Sequence, residues 1–235
     1  MSDETVSYRI EDAVALISLD DGKANALSPS VIEALHGALD QAEKDASAVV
    51  IAGRPGRFSG GFDLSIMTRD ADSARDLVIT GAQLLLRVYT FSLPVVVACT
   101  GHAVAAGALM LLSADRRVGA AGQFKIGLNE VAIGMRLPIF ALELARDRLA
   151  KEALVEATME ARLYTPDEAV EAGYLDRVVD GEDLLSCALE EAGRLASLSG
   201  PAYGLSKKLL RADVANKINS TLAEDMAGII SPSAK

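Results

Sequence analysis

Cysteine is scarce: only Cys99 and Cys187 occur in 235 residues, both in Ala/Leu/Val surroundings and neither in a metal-type spacing. A disulfide framework is excluded, and two buried reduced thiols point to a cytoplasmic protein. Basic residues are also in deficit. With 23 Lys and Arg against 33 Asp and Glu the net charge is −10, which excludes a non-specific nucleic-acid binder that must neutralise phosphates. Charged residues make up only 24% and apolar ones half of the chain, so disorder and low complexity are excluded as well. The opening residues, MSDETVSYRIED, lack the basic start and apolar stretch of a signal peptide. A Pro/Ser/Gly-rich linker and a repeat of fixed period are missing too, which leaves one compact core with a helical extension.

One long uncharged run is present, over residues 88–114. Its length would reach across a bilayer, yet Pro94, Gly101 and Gly107 interrupt it and would leave backbone that lipid cannot satisfy. A buried strand at 93–99 and a buried helix at 108–113 account for it, and no membrane span is expected.

Alternation over 14–19 predicts an early strand. Ser28-Pro29 then opens a helix to about Lys44, with a cap residue and proline at the first helical position. The all-apolar run 48–52 predicts a strand covered on both faces, followed by a Gly/Pro/Arg loop over 53–61 and a helix over 74–89. The unit recurs as strand 93–99, loop 101–107 and short helix, and again as strand 116–121 with 124–126. Beyond Leu137 helices are predicted at 138–149, 151–159, 166–172, 182–197 and 201–213, and the tail to Lys235 continues that character. The fold class is α/β.

Two of the loops have chemical interest. Phe58-Ser-Gly-Gly-Phe-Asp-Leu64 follows a buried strand and opens a helix at Asp63, a junction whose backbone N–H groups lack carbonyl partners and can hold an anion. Gly101-His-Ala-Val-Ala-Ala-Gly107 joins a second strand to a buried apolar helix. Two amides converging from two such loops would stabilise the negative oxygen of a thioester enolate. Taken singly, the glycines in each loop equally serve backbone geometry.

Together with Ser113-Ala-Asp115-Arg116, Ile126-Gly-Leu-Asn-Glu130-Val-Ala-Ile-Gly134 and the segment from Tyr164 to Val179, these loops resemble the crotonase (enoyl-CoA hydratase/isomerase) superfamily. The likeness runs from Asn25-Ala-Leu27 to the lysines near Lys208. It implies a crotonase-like spiral of ββα units over residues 1–190 and a C-terminal helical trimerisation region over 191–235. It further implies acyl-CoA thioesters as ligands, no metal, no cofactor beyond the coenzyme A that the substrate carries, and a homotrimer or dimer of trimers.

Carried over position by position, the resemblance puts the two oxyanion amides on the N–H groups of Phe62 and Ala106, the latter where most relatives have glycine. Gly61, Asp63 and Leu64 belong to the same substrate-binding loop. The Phe62 ring, bulkier than the usual small residue, either walls the acyl pocket or packs in the core. Of two positions that commonly carry carboxylates, one is Leu109, which takes no proton and would keep water from the intermediate. The other is Glu130, in a phrase closer to mitochondrial-type Δ3,Δ2-enoyl-CoA isomerases, which work with one glutamate. Its apolar neighbours Leu128 and Val131 to Ile133 would raise its pKa toward useful proton transfer. Arg54, Arg57 and Lys207 or Lys208 are the cations available to the phosphates of coenzyme A, while Ser65 replaces a frequent lysine. His102 is as a rule a structural loop histidine, the role of Arg136 is open, and His36 carries no evident chemistry. Ile66, Met67, Met135 and Leu137 line an acyl tunnel or simply fill the core.

Adding water across a 2-enoyl thioester needs one group to activate water and another to protonate C2. Moving a double bond from C3 to C2 needs a single base. One carboxylate therefore favours isomerisation of a 3-enoyl-CoA to 2-enoyl-CoA. Hydration, as in fatty-acid β-oxidation, is the alternative, and a catalytically impaired acyl-CoA-binding protein is a third reading.

Overall fold

The computed structural model describes residues 5–227. It opens on a hairpin, β1 (Val6–Glu11) and β2 (Val14–Leu19), whose two turn residues Asp12 and Ala13 both have positive φ. That geometry matches the twist of the flanking strands. The predicted helix follows as α1 (Pro29–Asp45), where the Ser28 hydroxyl accepts a hydrogen bond from the Val31 N–H and Pro29 takes the first position. Then come β3 (Ala48–Ala52), β4 (Gly56–Ser59), α2 (Leu64–Met67) and α3 (Ala71–Thr90). The next turn of the spiral is β5 (Val95–Cys99), β6 (Gly101–Val104) and α4 (Ala106–Ser113). A third is β7 (Arg116–Ala120), β8 (Ile126–Gly127), a 3-10 turn (Val131–Ile133) and α5 (Ile139–Arg148). The repeated strand–strand–helix unit is the spiral that the resemblance implies.

A second 3-10 turn (Lys151–Ala153) leads to α6 (Leu154–Thr158), α7 (Pro166–Ala172) and β9 (Arg177–Val179). Last come α8 (Leu184–Ala196), α9 (Gly200–Leu210) and α10 (Ala212–Ala227); residues 228–235 of the expected helical tail lie outside the described residues. No helix among the described residues is long and apolar enough to cross a membrane.

The strands form two sheets. The larger runs β1-β2-β3-β5-β7-β9 and is parallel from β2 onward; the smaller runs β4-β6-β8 and is also parallel. Strands β3 and β5 are buried throughout because both faces of the large sheet are covered. One face carries Ile17, Val49, Ile51 and Val97 against α1, α3 and α4, and the other carries Leu16, Val50, Val96 and Val118 against Leu184, Ala188 and Ala192 of α8.

Two expected loops are corrected. Residues 53–61 and 101–107 contain β4 and β6, because their glycines serve close strand pairing and not only turning: a Cβ at Gly101 would lie 2.1 Å from the Gly56 carbonyl carbon. Strands β1 and β9 were not foreseen. Both show mixed burial with no fully buried residue, and so lack a legible apolar pattern.

The C-terminal helices are fastened by one carboxylate. Asp115 accepts from Lys207 Nζ at 2.6 Å and from Arg211 at 3.0 Å, all three side chains being under 9% exposed, and its Oδ2 also accepts from the Val95 N–H at 2.7 Å. Arg211 stacks 4.3 Å over the Tyr89 ring and donates to the carbonyls of Tyr89, Ser113 and Ala114. Lys207 is therefore committed to the core and is no cation for a solvent-borne phosphate. Breaking a buried pair strands its partner charge. Asp115→Asn is expected to lower unfolding free energy by about 3–5 kcal/mol in chemical denaturation; a loss under about 1 kcal/mol would show that the cluster is not what holds α9 in place.

Candidate active site

The two sequence-singled loops meet at Gly61. Its φ of +93° suits glycine, and a Cβ there would lie 2.9 Å from Ala105 Cβ and 3.2 Å from Ala106 N. Both amides are spare. Leu27 donates to the Gly61 carbonyl at 2.8 Å and accepts from the Asp63 N–H at 3.2 Å, forming a bridge that turns the Phe62 N–H to the opposite side. Ala106 is the first residue of α4, where an N–H has no helical acceptor. Among the described residues neither the Phe62 nor the Ala106 N–H donates a hydrogen bond.

Two residues given no role from the sequence hold this arrangement, and a third stands beside it. Asn25, buried and at φ +51°, donates from Nδ2 to the carbonyls of Leu19, Arg57 and Phe58, tying the loop before α1 to β4 and so setting Leu27 beside Gly61. Ala105 has φ +50° and ψ −124°, an alanine conformation that costs on the order of 1–3 kcal/mol. Its N–H donates to the Gly127 carbonyl at 3.0 Å, which fixes the direction of the next amide. Asn129 is the third. It belongs to the Ile126–Gly134 motif and lines the cavity next to Glu130 in the chain.

A cavity of about 160 Å³ opens against these loops. Gly60, Phe62 and Leu64 line it from the first loop, Ala105 from the second, and Asn129 and Glu130 from the segment after β8, with Met67, Ile133 and Met135 completing the wall. Glu130 is 9% exposed and its Oε2 has no partner. Burial pushes its carboxyl up to about 7, against a smaller opposing pull from the backbone N–H groups of Asn129 and Glu130. Asn129 Oδ1 is likewise buried without a partner. One buried carboxyl thus shares a mostly apolar cavity with Phe62, whose N–H is free, and with Ala105, which immediately precedes the second free N–H.

Other expected residues lie elsewhere. Leu109 is 2% exposed, packs in the main core and does not line the cavity. Asp63 caps α2, accepting from the Ser65 N–H at 2.9 Å and its hydroxyl at 2.7 Å. Arg54 donates to the Lys23 carbonyl and lies 3.8 Å from Asp20. Arg57 stands in register with His102, beside Lys125 on the outer face of the small sheet. The His102 Nδ1 accepts from the Lys125 N–H at 3.0 Å and its ring meets Phe124 edge-on, so that histidine is structural. Arg136 pairs with Asp225 at 2.8 Å and secures α10. Lys208 lines a separate hollow with Thr90, Leu93 and Leu205. Met67 and Met135 do line the cavity, whereas Ile66 and Leu137 do not.

The raised pKa of Glu130 sets a sign for stability. Unfolded, the carboxyl titrates near 4.5, and folded near 7, so the folded state binds the extra proton between those values and loses stability as pH rises through them. Glu130→Gln should match the parent near pH 4 and exceed it above pH 7, by on the order of 3 kcal/mol. Equal stability at all pH values in denaturant melts would contradict a buried, unpaired carboxyl.

The chain matches the family model described as enoyl-CoA hydratase/isomerase over residues 9–231. It is similar to the solved enoyl-CoA isomerase of Mycobacterium tuberculosis, with 42% identity, a TM-score of 0.92, and coverage of 97% of this chain and 100% of that one. It is 28% identical to human mitochondrial enoyl-CoA delta isomerase 1, over 93% of this chain and 74% of that protein. A putative enoyl-CoA hydratase of Thermus thermophilus is 32% identical, over 85% and 81%. With the spiral and the cavity in place, the chain belongs to the enoyl-CoA hydratase/isomerase family and is an enzyme of the crotonase superfamily.

Proposed function

We propose that this enzyme moves the double bond of a 3-enoyl-CoA to C2, with Glu130 as its single acid/base. One observation carries the reading: Glu130 is the only ionisable side chain among the described residues lining the cavity. The ionised carboxylate removes a proton from C2, and the electron pair passes to the thioester oxygen, where the N–H groups of Phe62 and Ala106 hold the negative charge. The neutral carboxyl then returns that proton to C4, leaving the double bond between C2 and C3. Electrostatic support from such donors is worth roughly a hundredfold to a thousandfold in rate per donor. Leu109 stays in the core and does not reach the cavity, so α4 supplies no second carboxylate to hold water there.

Arg54, Arg57 and Lys208 remain the proposed contacts for the phosphates of coenzyme A, which is part of the substrate; no further cofactor enters the scheme. The exposed Leu205, Leu209 and Leu210 of α9 support assembly into a homotrimer or dimer of trimers, whose mass in solution would be a multiple of three chains. Two free cysteines support a reducing, cytoplasmic setting, although only Cys99 is buried and Cys187, expected to be buried too, is half-buried.

Hydration of a 2-enoyl-CoA is the second reading. It draws on Asn129, which lines the same cavity and whose Oδ1, like Glu130 Oε2, is buried without a partner, so that the pair could hold a water. Purified enzyme offered a 3-enoyl-CoA and a 2-enoyl-CoA separately is expected to conjugate the first and leave the second unhydrated; the reverse would establish the second reading. Glu130→Gln should stay folded, bind acyl-CoA and lose roughly a hundredfold to ten-thousandfold in turnover. Because the base works ionised, kcat/KM should climb as pH rises through about 7 and level off above it. A profile level down to pH 5 would remove Glu130 from the role.

A further inference from the structure

The cavity has one rigid wall and one pliable one. Phe62 belongs to the rigid wall: it lines the cavity, and its ring is seated against α3. A Cβ at Gly81 would lie 2.1 Å from Phe62 Cε1 and 2.5 Å from Cζ, so the ring fills the room that any side chain at position 81 would need. Gly81 lies buried in the middle of α3, where glycine is less favourable than alanine. The notch it leaves seats the ring against helix backbone, and close-packed groups of this kind do not yield. Opposite, Ile133 is 46% exposed on a 3-10 turn with no buried residue, and Met135 is an adaptable thioether.

We propose that the Phe62–Gly81 pair is the specificity determinant for acyl-chain length: the seated ring stops the chain, and the notch at position 81 sets where the ring stands. The inference rests on the acyl-CoA reading of the cavity and settles which of two roles the Phe62 ring has, since seating on α3 is what makes it a wall. An acyl chain grows into apolar space until it reaches the ring. Up to that length each buried methylene tightens binding by about fourfold, and beyond it the chain has nowhere to go.

The test is the affinity of a graded series of straight-chain saturated acyl-CoAs, which bind whatever reaction the enzyme performs. Phe62→Leu and Phe62→Ala should move the tightest-binding length upward, with a gain of about fourfold for each methylene newly buried. Gly81→Ala should move it downward, because the added methyl drives the ring into the cavity. In the double variant Phe62→Ala/Gly81→Ala the methyl meets no ring, so its penalty on long chains should vanish, a coupling that independent sites do not show. Should Phe62→Ala fail to fold, Phe62→Leu and Gly81→Ala carry the test. An unchanged length profile in these folded variants would overturn the proposal. A shifted profile in an enzyme that turns over no enoyl-CoA would uphold it and defeat the isomerase reading, while turnover of 3-enoyl-CoA with an unshifted profile would do the opposite.

Discussion

The approach of two backbone loops at Gly61 and Ala106 is the constraint on which the site depends. A side chain at position 61 would meet the neighbouring loop at under 3 Å, and that contact leaves two adjoining amides without acceptors. Everything around it maintains the contact. Asn25 ties the preceding loop to β4, Leu27 pairs with the groups flanking Phe62, and the strained Ala105, held by the Gly127 carbonyl, leaves the following N–H without an acceptor. The large sheet keeps the loops at fixed height, because β3 and β5, which feed them, are packed on both faces.

The same packing sets the electrostatics of Glu130. A carboxylate taken from water without a partner is unfavourable in its charged form, and Glu130 lies almost wholly buried beside apolar groups. Its carboxyl is thereby pushed up to about 7. The loss of stability that follows is borne by the rest of the fold, including the Asp115 cluster that fastens the C-terminal helices.

Much of this was legible in the sequence, for identifiable reasons. All-apolar 48–52 could only be a strand covered twice, and Ser28-Pro29 announced a helix start that the structure has at the same residue. Glu130 stood out through the family resemblance and its apolar neighbours, yet Val131 and Ile133 prove exposed, and what encloses the carboxyl is the cavity whose lining it shares with Phe62. What the sequence hid was either short or conformational. Strands β4 and β6 have four residues each and both begin on glycine, so they read as loops; positive φ at Asn25 and Ala105 leaves no compositional mark. Charges misled in another way. Lys207 and Lys208 are neighbours in sequence, yet one is buried on Asp115 and the other lines a hollow between α9 and the end of α3, a difference set by the helix face and visible only once α9 is docked.

A single base that both removes and returns one proton leaves an isotopic trace. With 3-enoyl-CoA deuterated at C2, the account predicts that a substantial part of the label appears at C4 of the 2-enoyl product when turnover is run in ordinary water. Product whose C4 hydrogen comes wholly from solvent, at the shortest measurable conversion, would contradict a buried lone carboxyl as carrier.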